Sequence, residues 1–268
     1  MYQSKPLSNN RLFIYHFLRR ALKFHCPMTA CLRLDITDTL KRIEQCREAG
    51  QKISFIAYTT LASAKTIEAH PKLNRRLYYG LLRKSVATFD HITAGLVVGR
   101  KDPQGEDVLL PLTIRNTNER SLEELHGIIK GTKADPLDKV GAYDKLQQVR
   151  TLPRVLIGFM HFLFRSSPKY TDEKFSTYAL SSVTSKNGAA IGGHTVANQT
   201  TFFPGNLRDE VLAIDGEAVV RKVLYIGLSA DHFVVDGMDL QRAVGTFQNF
   251  MENPDTLLPK SDTSPKTE

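Results

Sequence analysis

The 268-residue sequence contains no tryptophan and only three cysteines. Cys26, Cys31 and Cys46 are neither an even set nor a C-x-x-C pair, and no histidine follows them at a metal-site interval. A disulfide framework and a structural metal are therefore not expected, and a reducing compartment is. No run reaches the roughly 18 uncharged apolar residues that a spanning helix needs. The nearest is Val155–Phe164, bracketed by Arg154 and Arg165. Residues 1–34 contain no acid, and the N-terminus lacks an apolar stretch with a small-residue cleavage site, so it is not a secretory signal. Its Arg-rich, acid-free character leaves a mitochondrial presequence, and with it the matrix, as the alternative to the cytoplasm.

What is abundant is positive charge. There are 36 Lys and Arg against 28 Asp and Glu, a formal net charge of +8, and 41% of residues are hydrophobic. That composition excludes disorder and points to an anionic partner: nucleic acid, a membrane surface or a phosphorylated cofactor. The length is ample for one large domain.

Apolar periodicity predicts helices over Asn10–Phe24, from Asp38 as cap to about Ala49, and over Ser54–Ala69, the last stopped by His70-Pro71. Short strand signals follow at Leu32–Ile36, Arg76–Tyr79, Val86–Phe89, Ile92–Val98 and Val108–Ile114. Ser121 and Glu124 form a capping box for a helix over Leu122–Lys130. Pro136–Val149 and Pro153–Phe164 read as proline-opened helices, Thr177–Val183 and Val219–Ser229 as strands, and Gly237–Met251 as a closing helix. Residues 184–201 are rich in Gly, Ser, Asn and Thr, and 253–268 read as a disordered tail. Without regular βαβ alternation a doubly wound sheet is not expected, and the chain reads as one α/β (α+β) domain over residues 1–252.

The sharpest chemical feature is Gly227-Leu-Ser-Ala-Asp-His232-Phe-Val-Val-Asp236-Gly237. A strand delivers a histidine at its end, an aspartate follows four residues later, and a glycine opens a helix. Such a turn can fix an imidazole for proton transfer. An ordinary turn histidine with a helix-capping aspartate is the plainer reading.

Asp231-His232-Phe-Val-Val-Asp236-Gly237 resembles the His-x-x-x-Asp-Gly signature of coenzyme A-dependent acyltransferases. These are the catalytic domain of the dihydrolipoyl acyltransferases of 2-oxo acid dehydrogenase complexes and their relative chloramphenicol acetyltransferase. Further segments resemble that domain in the same order: Pro6-Leu-Ser with Arg11, Leu34-Asp35-Ile-Thr37, His70-Pro-Lys-Leu-Asn74, Leu110-Pro-Leu-Thr-Ile-Arg-Asn116 and Val219-Val-Arg-Lys222. The resemblance spans residues 6–252.

It implies a chloramphenicol acetyltransferase-like mixed sheet flanked by helices, assembled as a homotrimer with active sites between subunits. The reaction it implies moves an acyl group from acyl-CoA directly to a thiol, hydroxyl or amine. His232 would be the general base and Ser181 the oxyanion donor, with Ser182 in reserve. Asp236 would pair with Arg11 to hold the histidine loop. Coenzyme A is then a cosubstrate, no attached lipoate is expected, and the acceptor is separate, because no lipoyl domain precedes the catalytic unit in this sequence. A catalytically silent scaffold or partner subunit is the other functional reading.

Departures from the pattern are Ser181-Ser-Val-Thr184 where the family has Ser-Asn-Leu-Gly, and an apolar and basic insertion at Leu152–Lys174. The helix at 154–165 suits contact with a membrane or an acyl chain, or with the core or a second subunit. Gly188–Gly193 is a loop without the strand–helix frame of a dinucleotide site. His91, His161 and His194 have no partners at metal spacing, and no nucleic-acid module is present.

Overall fold

The computed structural model describes residues 4, 6, 15, 16, 18, 19, 22–80, 82–101, 105, 107–141, 143, 144, 148, 152–181 and 198–258. Its elements run β1 (Pro27–Asp35), α1 (Thr37–Glu48), α2 (Phe55–Ala69), β2 (Arg75–Tyr79), β3 (Lys84–Thr88), β4 (Ala94–Lys101), β5 (Asp107–Ile114) and α3 (Leu122–Ala134). They continue through α4 (Arg154–Ser166), α5 (Pro168–Lys174), β6 (Tyr178–Leu180), β7 (Thr200–Ile214), β8 (Glu217–Asp231) and α6 (Gly237–Glu252).

Six strands form a mixed sheet in the order β1-β8-β7-β6-β4-β5, and β2 pairs with β3 in a separate ribbon. The neighbours β4/β6 and β6/β7 are parallel, the other pairs antiparallel. The expected mixed sheet flanked by helices is what forms.

Helix α2 is buried almost all round despite four Ser and Thr residues within it. Their hydroxyls are consumed internally: Thr59, Thr60, Ser63 and Thr66 each donate to the carbonyl four residues earlier. Satisfying a hydroxyl within its own helix removes most of the cost of burying it. The helix therefore packs with α6 and α3 over a core that includes Leu34, Ile43, Leu61, Ile67, Phe202, Leu224 and Phe247. Tyr178 on β6 reaches across the core to donate to the Thr60 carbonyl at 3.0 Å.

Several sequence expectations shift. β1 starts at Pro27, not Leu32, because its first half is carried by pairing with β8, Pro27 opposite Asp231. α1 is not capped by Asp38: Ile36 holds the cap position without a side-chain bond, and Asp38 lies in the first turn, bonded to Arg221. The capping box of Ser121 and Glu124 is present, and its helix runs on to Ala134. At 137–139 the chain makes a 3-10 turn where the start of a long helix was predicted. The expected tail is partly attached, since Pro254–Thr256 forms a turn and Leu258 is buried in the core; residues 259–268 lie outside the described residues. So do most of the predicted N-terminal helix, Arg11, Ser182, His194 and the 188–193 loop.

The largest element not predicted is the 15-residue β7, which makes a hairpin with the 15-residue β8. Asp215 and Gly216 occupy its two-residue turn with φ of 51° and 86°. Both values are positive, as a type I′ turn requires, and Asp-Gly is a favoured pair for it. The register shifts between Pro204 and Leu207, so the proline sits at an irregularity where a missing N–H is tolerated.

Candidate active site

β8 carries the chain to the turn that presents His232. Gly227 lies opposite Phe203 on β7, and a Cβ at Gly227 would stand 1.8 Å from the Phe203 ring. Only glycine admits that ring against the strand here.

Asp231, the last residue of β8, is fully buried. One of its oxygens accepts the backbone N–H groups of Cys26 and Phe233 at 3.0 and 3.1 Å, and the other lies 3.1 Å from Nδ1 of His25. Its own N–H donates to the Gln199 carbonyl. Burial pushes this carboxyl up, but the contacts from His25, Cys26 and Phe233 outweigh it and hold it below the usual carboxylate range. The Asp231 carbonyl accepts from both Val234 and Val235, which closes the turn.

His232 follows, exposed at the surface, with its N–H on the Cys26 carbonyl at 2.7 Å. Its Nδ1 is 3.0 Å from the Val235 carbonyl. A carbonyl only accepts, so Nδ1 carries the proton in the neutral ring and Nε2 keeps its lone pair. The turn therefore supplies an oriented base.

His232, Phe233, Val234 and Asp236 share one open recess with Arg75, Val86 and Thr88 of the β2–β3 ribbon. Asp236 starts α6 through its backbone carbonyl and makes no side-chain cap. Its expected partner Arg11 lies outside the described residues. Arg75, absent from the residues expected at the site, lines the same recess as the histidine, and its buried Nε has no hydrogen-bond partner among the described residues.

Ser181 is not brought onto His232 of the same chain. Its N–H donates to the Phe202 carbonyl just past the end of β6. The β6–β7 and β7–β8 registers put it in the row of Phe203 and Gly227. His232 is five residues further along β8, about 17 Å at strand spacing.

The other segments quoted for the resemblance brace this frame. Arg221 bridges Asp35 and Asp38 at 2.6 and 2.7 Å, and Thr37 accepts from the Lys222 N–H, so Leu34–Thr37 and Val219–Lys222 meet. Asn74 donates to the Phe89 and His91 carbonyls, closing the ribbon that carries Arg75. Among the described residues there is no group of three potential metal ligands.

Residues 201–259, which hold β7, β8, the histidine turn and α6, match the family described as 2-oxoacid dehydrogenases acyltransferase (catalytic domain). The dihydrolipoyllysine-residue succinyltransferase component of the 2-oxoglutarate dehydrogenase complex of Staphylococcus saprophyticus is 22% identical over 214 residues. That match covers 79% of this chain and 42% of the relative. The same component from Staphylococcus aureus strain USA300 is 21% identical, with 87% of this chain and 49% of the relative covered. The chain thus spans about half the length of the curated relatives it matches. Among solved structures, a probable dihydrolipoamide acetyltransferase from Listeria monocytogenes superposes with a TM-score of 0.68 at 15% identity, covering 98% of each chain. The cubic core of a pyruvate dehydrogenase multienzyme complex gives 0.68 at 17% identity, covering 96% of this chain and 94% of that one. The fold is that of these catalytic cores.

Proposed function

We propose that this chain, with the fold of the dihydrolipoamide acyltransferase cores and the family's own segment at 201–259, transfers an acyl group from acyl-CoA to a separate acceptor. The best-supported acceptor is a thiol of the dihydrolipoyl type, which the names of its relatives suggest; hydroxyl and amine acceptors share the chemistry. The observation that carries this reading is His232, which lines the recess and whose Nδ1 is committed to the Val235 carbonyl, leaving Nε2 to serve as the base.

In this reading Nε2 takes the proton of the acceptor as its sulfur attacks the thioester carbonyl. The carbonyl oxygen becomes an oxyanion and needs a donor aimed at it. Ser181 serves, contributed by a neighbouring copy, since one chain's register keeps its own Ser181 and His232 apart. The intermediate then collapses, the carbon–sulfur bond to coenzyme A breaks, and the departing thiolate takes the proton back from the imidazolium. Atoms and charge balance without an acyl-enzyme. A cyclic assembly, the trimer expected from the resemblance, supplies every chain with one neighbour's serine. Arg75 receives the cosubstrate's phosphates, and Asp236 with Arg11 holds the loop.

The test is release of free coenzyme A from acetyl-CoA and succinyl-CoA with dihydrolipoamide as acceptor. Turnover by the wild type that falls to background in His232→Ala supports the proposal. Equal release by both proteins overturns it.

A further inference from the structure

The insertion at 152–174 forms two helices, and the first has two unlike faces. Phe164 of α4 is buried, with the Arg76 guanidinium 4.6 Å from its ring and Phe175 packed at 4.7 Å. Arg165 lies 4.5 Å over Phe24 and 6.0 Å from the Tyr79 ring. These contacts fasten the inner face to β2 and to the turn before β1. On the other face Val155, Phe159 and Phe162 recur at helical spacing, with Leu156 beside them, and all four are exposed, Val155 by 82%.

The anchoring contacts bring three stretches of chain together: the N-terminal segment at Phe24, the β2–β3 ribbon at Tyr79, and α4 at Arg165. Each stretch is basic and free of acid, over residues 1–34, 70–89 and 145–171. Lys84 lies 5.6 Å from the Tyr79 ring, and Arg83 beside it is exposed. The ribbon's tip places Leu82 wholly in solvent, and Leu22 is exposed next to Phe24. Apolar side chains thus project beside the exposed Arg83 and Lys84, while Asp172 on α5 is taken up by His91 at 3.0 Å.

We infer that this face docks peripherally on an anionic lipid bilayer, with α4 lying in the plane of the headgroups. An amphipathic helix with a basic setting and exposed Phe and Leu has the properties that interfacial binding requires. No described helix is long and apolar enough to cross a membrane, so the contact is superficial. Phosphate-directed binding to nucleic acid would leave the apolar stripe unexplained. The inference is independent of the acyltransferase reading.

The test is flotation of the full chain with vesicles of phosphatidylcholine alone and of phosphatidylcholine with phosphatidylserine. Recovery with the anionic vesicles only, declining as salt is raised, supports docking. Phe159→Ser with Phe162→Ser, both at exposed positions, abolishes it without lowering the melting temperature. Arg83→Gln with Lys84→Gln weakens partitioning about thirtyfold, at about 1 kcal/mol per basic group near the surface, and remains informative if the first variant fails to fold. Wild type that stays soluble with both vesicles overturns the inference. So does a change in sedimentation showing that the Phe159/Phe162 variant separates copies of the chain without affecting lipid binding.

Discussion

Asp231 and His25 stand 206 positions apart in the chain and meet behind the histidine turn, Oδ2 to Nδ1 at 3.1 Å. Around that contact the Cys26 and Phe233 N–H groups complete a cradle that ties the end of β8 to the start of β1. The residue that positions His232 is thus its immediate neighbour, itself held by a side chain from the chain just before β1.

Removing the carboxylate leaves buried donors unmatched. Asp231→Ala is expected to lose about 1–3 kcal/mol for each unsatisfied group in urea unfolding, and turnover with it. His25→Ala should cost less stability, since the backbone donors remain. The pH dependence has a definite sign: a carboxyl whose folded-state pKa is depressed contributes stability above its unfolded pKa. That contribution is lost as pH falls through the folded value. The stability difference between wild type and Asp231→Asn should therefore shrink in acid; a difference that grows below pH 4 or so contradicts the depressed carboxyl.

His232 is exposed and among the described residues its side chain bonds only within its own turn, so its loss should spare the fold. His232→Ala is expected to retain the wild-type melting temperature while turnover drops about 10²–10⁴-fold, the usual weight of general-base catalysis. Circular dichroism and chromatographic measurement of released coenzyme A read the two quantities separately.

Ser181→Ala should reduce turnover about 10²–10³-fold, as for loss of one oxyanion donor. If the serine comes from a neighbouring copy, Ser181→Ala and His232→Ala chains co-expressed in equal amounts rebuild intact sites. About a quarter of the sites in a randomly mixed cyclic assembly then pair a good histidine with a good serine. Activity of the mixture no higher than that of either variant alone places the serine elsewhere. Damage from Ser182→Ala in place of Ser181→Ala shifts the donor by one residue.

Gly227→Ala drives a methyl into the Phe203 ring. Overpacking of this kind costs about 1–3 kcal/mol, expected as a lowered melting temperature. Phe203→Leu in the same chain should restore part of it. Equal stability of Gly227→Ala and wild type rules out the close approach of β7 and β8.

Much of the frame was legible because it is local. The capping box at Ser121, the stop at His70-Pro71 and the motif His232–Gly237 are each readable within a few residues. β7 was not predicted even though Asp215-Gly216 is a hairpin signal, because its apolar residues do not alternate cleanly across the irregularity at Pro204–Leu207. His25 could not be read at all: its partner is fixed only when β1 pairs with β8, and nothing within the sequence of either strand marks the pairing. Ser181 was reachable by resemblance, but its row in the sheet depends on a parallel β6–β7 pairing of only two residues. Arg75 went unremarked because its setting, beside the histidine, is made by a ribbon that the sequence shows only as two short strands.

The lock between His232 and the Val235 carbonyl is contained in four residues and asks nothing of any other chain. A solitary copy would already hold its imidazole aimed and its tautomer chosen, with little left to reorganise on encounter with substrate. What it would lack is the hydroxyl. If the serine comes from a neighbour, as proposed, catalytic competence belongs to the contact between copies, and dilution should extinguish turnover at concentrations where each chain is still fully folded.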